Sequence, residues 1–299
     1  MHMKKVLMRV LTGIVLSAVI SGATAAYQVS AQPIDGTQIA TLDDLKAALP
    51  RDTRYYQETM RLNQVVLREM TGGALPGDDG KDWSESVSYE AYDPEGRRIA
   101  LLATADGSVI LGLYDYDQVS NCVRGRSYRN QEMSFDTVST YDEQGRVIER
   151  TILIQGESNE KTTTVYEPLP DGTTRAVATT YDADGSVMEE DTHILDSQNR
   201  VIHSEIPLGG GMTIADYAYD DQDRLIHSLV DYGDGRTSEN TFQYTDSADG
   251  TTGSYAYYQN GLLQSRFEQR YDELGVCVYQ AEYNTDGVLT SETTREPME

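Results

Sequence analysis

Tyr141-Asp142-Glu143-Gln144-Gly145-Arg146-Val147 recurs, with variations, from about residue 89 to the C-terminus, and its reading decides the fold. Glu143-Gln144-Gly145 suits a three-residue hairpin loop, a type I turn followed by a left-handed residue that forms a bulge. Gly fits the third position because it has no Cβ to clash at positive φ. Asp142 then faces Arg146 across the loop, and Tyr141 pairs with Val147. An acid opposite a base and an aromatic opposite a β-branched residue are both favourable cross-strand pairs.

The copies keep this register. Tyr92-Asp93-Pro94-Glu95-Gly96-Arg97 opens the series, with Pro94 where its fixed φ suits a type I turn. Tyr181-Asp182-Ala183-Asp184-Gly185, Tyr219-Asp220-Asp221-Gln222-Asp223-Arg224, Tyr271-Asp272-Glu273-Leu274-Gly275 and Tyr283-Asn284-Thr285-Asp286-Gly287 follow. Leu195-Asp196-Ser197-Gln198-Asn199-Arg200 is a degenerate copy. Where Gly is missing, Asn199 or Asp223 stands in, and these types best tolerate the left-handed region. Two residues past the turn position stand Val147, Val187, Val201, Leu225, Cys277 and Leu289, with Arg98 the exception. They share a face with the Tyr before the loop. Ala215, Tyr217 and Tyr219 extend the alternation backwards, as do Phe242 with Tyr244 and Tyr255 with Tyr257; this is strand period.

The motif resembles the YD repeat of RHS-type bacterial surface and secreted proteins, most closely at Tyr217-Ala218-Tyr219-Asp220 with Arg224-Leu225, over roughly residues 89–294. In large members of that family the repeats wind into a β-sheet shell that encloses a toxin or contacts carbohydrate. The resemblance therefore implies a curled repeat sheet and an exported binding or shell protein. This chain departs from the family in having few repeats and no obvious C-terminal toxin domain.

The 299 residues carry 24 basic and 49 acidic side chains, a formal net charge of −25. That balance disfavours nucleic acid and anionic membrane surfaces as partners. The 21 Tyr against three Phe and one Trp suit a thin sheet, because a Tyr ring half-buries while its hydroxyl stays wet. Residues 1–31 read as an export signal or a signal anchor: Lys4, Lys5 and Arg9 precede an apolar run from Val10 to Ile20, and small residues follow at 23–25 and 29–31. The expected location is secreted or cell-surface.

Residues 32–82 read as a linker and helical segment. Thr41 is placed to cap a helix ending near Leu49-Pro50, and a second helix is predicted over 52–70 from the spacing of Tyr55, Thr59, Leu62, Val66 and Met70. Residues 71–82 form a flexible boundary. From residue 83 to 299, strands alternate with turn signals, and short connections favour an antiparallel up-and-down meander of 14–16 strands. A sheet of that size curls, splits or partly closes. The stretch 114–134 fits the pattern poorly and reads as an insertion.

Candidate chemistry is sparse. Cys122 and Cys277 either pair or remain separate, and Cys277 occupies an apolar strand slot. The hairpin register sets His193 across from His203 and Tyr217 across from His227. Two facing imidazoles with Glu205 or His227 would suit a metal, although the equivalent slots elsewhere hold Ala100, Glu149, Glu189 and Ser291. A calcium loop starting at Asp182 needs an acid at its twelfth position, which is His193, and turn chemistry accounts for these aspartates. No Gly-x-Ser-x-Gly elbow, His-Glu-x-x-His or phosphate-cradling loop is present. No catalytic, cofactor or metal residue is nominated. The expectation is a non-enzymatic exported protein that binds cell-envelope material, a glycan or a protein partner; the alternatives are a structural or accessory shell or spacer and, third, an enzyme built on the sheet.

Overall fold

The computed structural model describes residues 34–71, 82–105, 107–117, 121–208, 211–247 and 250–298. The expected export segment 1–31 and most of the 71–82 boundary lie outside these residues. Eighteen strands follow one another: β1 (Arg54–Asn63), β2 (Trp83–Tyr92), β3 (Arg98–Ala105), β4 (Ser108–Tyr116), β5 (Cys122–Arg129), β6 (Glu132–Tyr141), β7 (Val147–Ile154), β8 (Glu157–Pro168) and β9 (Thr174–Asp182), then β10 (Val187–Leu195), β11 (Val201–Leu208), β12 (Gly211–Tyr219), β13 (Leu225–Asp231), β14 (Thr237–Ser247), β15 (Gly250–Gln259), β16 (Leu262–Tyr271), β17 (Cys277–Asn284) and β18 (Leu289–Met298). Each pairs antiparallel with the next, and β18 pairs with β1, so the sheet is a closed barrel rather than a partly closed one.

Two expected features change. Residues 54–63, predicted as the first part of a helix, form the closing strand β1; only α2 (Gln64–Thr71) is helical there. The three- and four-residue apolar spacing counted Thr59 as a match, whereas the barrel uses the alternation of Tyr56, Glu58 and Met60. The stretch 114–134 is no insertion. It supplies the end of β4, all of β5 and the start of β6, with Asp117 N–H bonded to the Asn121 carbonyl (2.9 Å) in a turn lacking the Gly signal. These two segments account for the strands beyond the expected 14–16.

The hairpin register is as read. Tyr141 pairs with Val147, the Asp142 N–H donates to the Arg146 carbonyl at 2.9 Å, and Gly145 has φ +76°. Asn199 and Asp223 take φ +63° and +64° in its place. Alternation sorts the copies onto two rims. The loops after β2, β6, β10, β12 and β16 share one rim, here the motif rim, whereas the copies at 181–185 and 283–287 lie on the opposite one.

On the motif rim the loops are tied to one another. Asp142 Oδ1 accepts from the backbone N–H groups of Gln144 (3.0 Å) and Arg146 (2.9 Å), and Oδ2 accepts from Arg146 Nε (2.7 Å). The guanidinium so held lies over the Tyr166 ring of β8, 4.2 Å from its centroid, and the Tyr166 hydroxyl donates to the Val147 carbonyl at 2.9 Å. The same tie joins Arg97 to Tyr116, whose hydroxyl donates to the Arg98 carbonyl, and Arg200 to Tyr219, whose hydroxyl donates to the Val201 carbonyl. Arg224 stacks on Tyr244.

Pairing also tells the two faces apart. Followed through Tyr55↔Ala91, Ala91↔Ala100, Ala100↔Leu113, Leu113↔Arg126, Arg126↔Asp136 and Asp136↔Leu153, it drifts from the start of β1 to the far end of β7. That stagger, with the right-handed twist of strands, places these residues on the outer face. Burial agrees. On the outer face the large buried apolar side chains, Leu102, Leu111, Leu113 and Tyr128, lie beneath the N-terminal segment, whose Ile39, Leu45 and Leu49 complete the cluster. That segment is a 3-10 turn (Gly36–Gln38) and α1 (Leu42–Ala48), with Thr41 and Asp44 forming a capping box. Gly36 is required there, since a Cβ would stand 2.3 Å from the Tyr128 ring. The inner face buries Ala176, Ser204, Ala215, Ser228 and Ser265 with no covering element among the described residues, as a concave wall does.

The β18–β1–β2 junction is latched from inside. The Arg295 guanidinium reaches Glu58 and Glu90, and Glu90, 2% exposed, also accepts from Arg98 (2.9 Å) and the Tyr92 hydroxyl (2.8 Å). Burial alone would raise the Glu90 carboxyl; the Arg295 charge and the Arg98 and Tyr92 hydrogen bonds outweigh it and hold the value below the ordinary one.

Gly145→Val should destabilise the barrel by about 1 kcal/mol or more in urea unfolding, because it forces a β-branched residue to positive φ; unchanged stability would contradict the bulged-loop geometry. Arg295→Met should cost about 2 kcal/mol or more at pH 7, since it leaves Glu90 short of a cation. Because the Glu90 value is depressed, its contribution is present above the ordinary glutamate range and lost as pH falls through the folded value. The gap between wild type and variant should therefore narrow at pH 3.

Candidate functional site

The inner wall from β14 to β17 concentrates the aromatic side chains. Phe242 pairs with Tyr255, and Tyr255 with Phe267. Their rings form a continuous platform across three strands: centroids of Phe242 and Tyr255 are 5.0 Å apart, and Tyr255 and Phe267 are stacked at 4.0 Å with 6° between planes. All three are half-buried in the wall, with part of each ring open to the lumen.

Small neighbours let these rings lie against the wall. Ser228, Ser238, Gly253 and Ser265 are buried between them. At Gly253 an added Cβ would meet the Tyr244 and Tyr271 rings and Gln269 at 3.4–3.5 Å, so this glycine is a matter of close approach.

A polar border runs beside the platform. The Tyr271 hydroxyl donates to Gln269 Oε1 (2.8 Å), Gln269 Nε2 donates to Gln280 Oε1 (2.8 Å), and the Ser291 hydroxyl donates to Glu282 (3.1 Å). Burial first, and the Glu282 charge second, hold the Tyr255 phenol well above its ordinary value. Burial does the same at Tyr271, with Cys277 and Tyr244 adding to it. These phenols are neutral hydrogen-bonding groups, unsuited to act as bases near neutral pH. The arrangement offers flat apolar faces edged by amides and hydroxyls.

The outer wall has another character. It carries cross-strand ion pairs: Arg61 with Glu292 (3.4 Å), Lys161 with Glu149 (2.8 Å), Arg124 with Asp136 (2.6 Å) and Arg126 with Asp115 (2.8 Å). His203 pairs with Asp216 (2.7 Å) and His227 with Glu239 (2.9 Å) on the same face. The Asp216 hydrogen bond holds the His203 imidazole above its ordinary value, with Glu205 adding to it.

The facing-imidazole geometry is not formed. The register slips by one between Ile194 and Leu195, so His193 faces Ser204 and His203 faces Ile194. His193 lies on the inner wall, bonded to Ser204 Oγ at 2.8 Å and lowered in pKa by burial, while His203 lies outside. The same slip sets Tyr217 opposite Ser228 and Ala218 opposite His227. Among the described residues no group of three or more His, Cys, Asp or Glu could hold a metal ion. In the Asp182 loop, Oδ1 accepts from the backbone N–H groups of Asp184 and Ser186, which is turn chemistry. Cys122 and Cys277 are unpaired thiols. The aromatic platform was not singled out in the sequence as a site, although the parities of Phe242 with Tyr244 and of Tyr255 with Tyr257 were its visible signal.

No protein-family model matches the chain, and no curated protein does. Among solved structures, it is similar to a porin-like protein from Bacteroides uniformis at 10% identity, covering 81% of this chain and 97% of that one with a TM-score of 0.38. A porin-like protein from Bacteroides vulgatus is similar at 11% identity over 80% and 96%, TM-score 0.28. A mutant Rh. blastica porin follows at 9% identity over 82% and 99%, TM-score 0.31. Likeness at this level carries no argument about function. The expected kinship with YD-repeat and RHS-repeat proteins is not upheld: no family model supports it, and these structural relatives are porin-like proteins. What the chain shares with that repeat is the chemistry of one turn.

Asp216→Asn should return the His203 titration midpoint toward that of a free imidazole, read from the histidine ring protons by NMR. Because the folded value is raised, the pair's small contribution is complete at low pH and lost as pH rises through it.

Proposed function

We propose that this protein is a non-enzymatic, water-filled barrel that works outside the cytoplasm and binds a glycan of the cell envelope on the inner wall of β14–β17. The observation that carries the reading is the half-buried Phe242–Tyr255–Phe267 platform bordered by Gln269, Gln280 and Tyr271. A sugar ring presents a C–H face and a hydroxyl edge, and ring stacking combined with amide and hydroxyl partners matches both. Eighteen strands enclose enough room for a polymer end to enter.

The outer wall favours an aqueous setting over a lipid one. A barrel that crosses a bilayer needs an outward apolar band about 25 Å tall, and each Arg or Lys at its midplane costs about 2–4 kcal/mol. Arg61, Arg124 and Lys161 with their partners occupy that face instead. Closure also weighs against a shell assembled by strand addition, because a closed sheet offers no free edge.

The test is co-sedimentation of purified residues 32–299 with insoluble cell-wall material, alongside a glycan array. Saturable binding is expected, lowered at least about tenfold by Phe267→Ala, which removes one plate of the stack and about 1.4 kcal/mol or more of contact. Absence of binding on both formats, or binding indifferent to Phe267→Ala and Tyr255→Ala alike, would overturn the inner-wall reading.

A further inference from the structure

The β10–β11 junction has the shortest ladder in the wall. Its strands pair over only four positions, from Thr192↔Glu205 to Leu195↔Val201, against five at β2–β3, β13–β14 and β17–β18 and ten at β14–β15, and both strands run on past the last pair. Away from the motif rim, Val187–Asp191 pairs with β9 alone, and Ile206, Pro207 and Leu208 pair with β12 alone. Pro207 is the next residue in the alternation that carries His203 and Glu205, and it has no N–H to give β10.

Where the pairing stops, two carboxylates share the inner face. Glu189 and Asp191 stand two residues apart on β10 and bond to each other, so a proton lies between them. Asp191 Oδ1 is buried with no hydrogen-bond partner. Among the described residues, the inner-face groups around the pair supply no cation. On β10 itself there is only His193, bonded to Ser204, with its charged form disfavoured by burial. β9 presents Ala176, Ala178 and Thr180, and β11 presents Ser204 and Ile206. Lys161 and Arg175 are on the outer face, paired with Glu149 and Glu167.

We propose that the β10–β11 seam is a proton-controlled side opening in the barrel wall. With Asp191 protonated, the carboxyl pair is held by its shared proton and the first half of β10 rests beside β11. When the proton leaves, two adjacent carboxylates repel, and the buried Oδ1 has no donor to compensate its charge. The relief is for Val187–Asp191 to peel from β9 and swing toward water, since its ladder with β9 alone holds it and none with β11 does. The lumen then gains a lateral entrance. Burial first, and the charge and hydrogen bond of Glu189 second, push the Asp191 carboxyl up to about 7. Because the folded value lies above the unfolded one, closure is strongest at acid pH and weakens as pH rises toward 7.

Amide hydrogen exchange across pH 5.5–8.5, corrected for the intrinsic pH dependence of exchange, tests this on the intact barrel. The expected result is a loss of protection of about tenfold or more at Glu189 and Asp191, whose ladder is with β9, on raising the pH, with 206–208, which pair with β12, and the β14–β16 wall unchanged. Asp191→Asn, nearly the same shape and never charged, should keep the β10 segment protected at pH 8.5. Glu189→Gln should move the midpoint to lower pH by removing the neighbouring charge. Protection independent of pH in the wild type, or an Asp191→Asn protein that opens as the wild type does, would overturn the proposal.

Discussion

The structure depends on a tie between successive hairpins at the motif rim. Within one loop, Asp142 fixes Arg146 by accepting from both its backbone and its guanidinium. The fixed guanidinium then covers Tyr166 of the next hairpin, and that Tyr bonds back to the Val147 carbonyl. A hairpin alone is marginal in water. Linking three of the motif loops to the next hairpin through a charge-assisted pair, a ring face and a backbone acceptor gives a single-layer sheet a mechanical reason to keep its register. The ties converge on the inner side of the rim, where the Tyr side chains point, and so favour the curvature that closure requires.

Closure divides the chemistry between two surfaces. With a single layer of strands, neither face is a conventional core: most positions on both are partly exposed, and deep burial of large apolar side chains on the outside is confined to the ground under Ile39, Leu45 and Leu49. The outer wall is stabilised by cross-strand ion pairs, which water screens, so their individual worth is small. The inner wall uses another device, in which Ser and Gly alternate with rings that lie across them. The 21 Tyr and the surplus of acids are thus two sides of one design. The wet wall of a hollow barrel must be soluble outside, and inside it must pack without a filler.

The hairpin unit was legible in the sequence down to individual pairs, because turn chemistry is local: Asp142 with Arg146, Tyr141 with Val147, and Asn199 and Asp223 in the left-handed slot. What failed was carrying that register up the strands. The loop register holds as far as Leu195↔Val201, but a second bulge one pair above it leaves Ile202 unpaired, so every later pair slips by one and His193 and His203 fall on opposite faces. That strand bulge recurs above the other motif loops and carries no turn residue to mark it in the sequence. The closing strand was less accessible. Tyr55 to Leu62 satisfies a helical count and a strand count together, and only the pairing of Arg61 with Glu292 and of Arg295 with Glu58, far apart in sequence, decides between them. The aromatic platform required the lateral order of β14, β15 and β16, which alternation within one strand does not supply.

Two inner-wall carboxylates show how far local surroundings outweigh residue type in this barrel. Glu90 is almost fully buried, yet burial is overcome because Arg295 and Arg98 reach it from either side and the Tyr92 hydroxyl completes its shell. Asp191 is less buried, but its neighbour is another carboxyl and one of its oxygens meets no donor. Burial thus works in the same direction at both sites, and the opposite outcomes follow from the sign of the nearest charge. The two sites also lie where the wall is interrupted, at the closure of β18 on β1 and at the short ladder of β10 with β11, whose motif loop is itself intact. The first is reinforced by cations from the neighbouring strands β18 and β3. At the second the backbone ladder is cut short by Pro207 and no cation among the described residues faces inward. A wall made of one repeated unit is uniform in strength only where the repeat is unbroken, so its mechanical behaviour is set by how each interruption is charged.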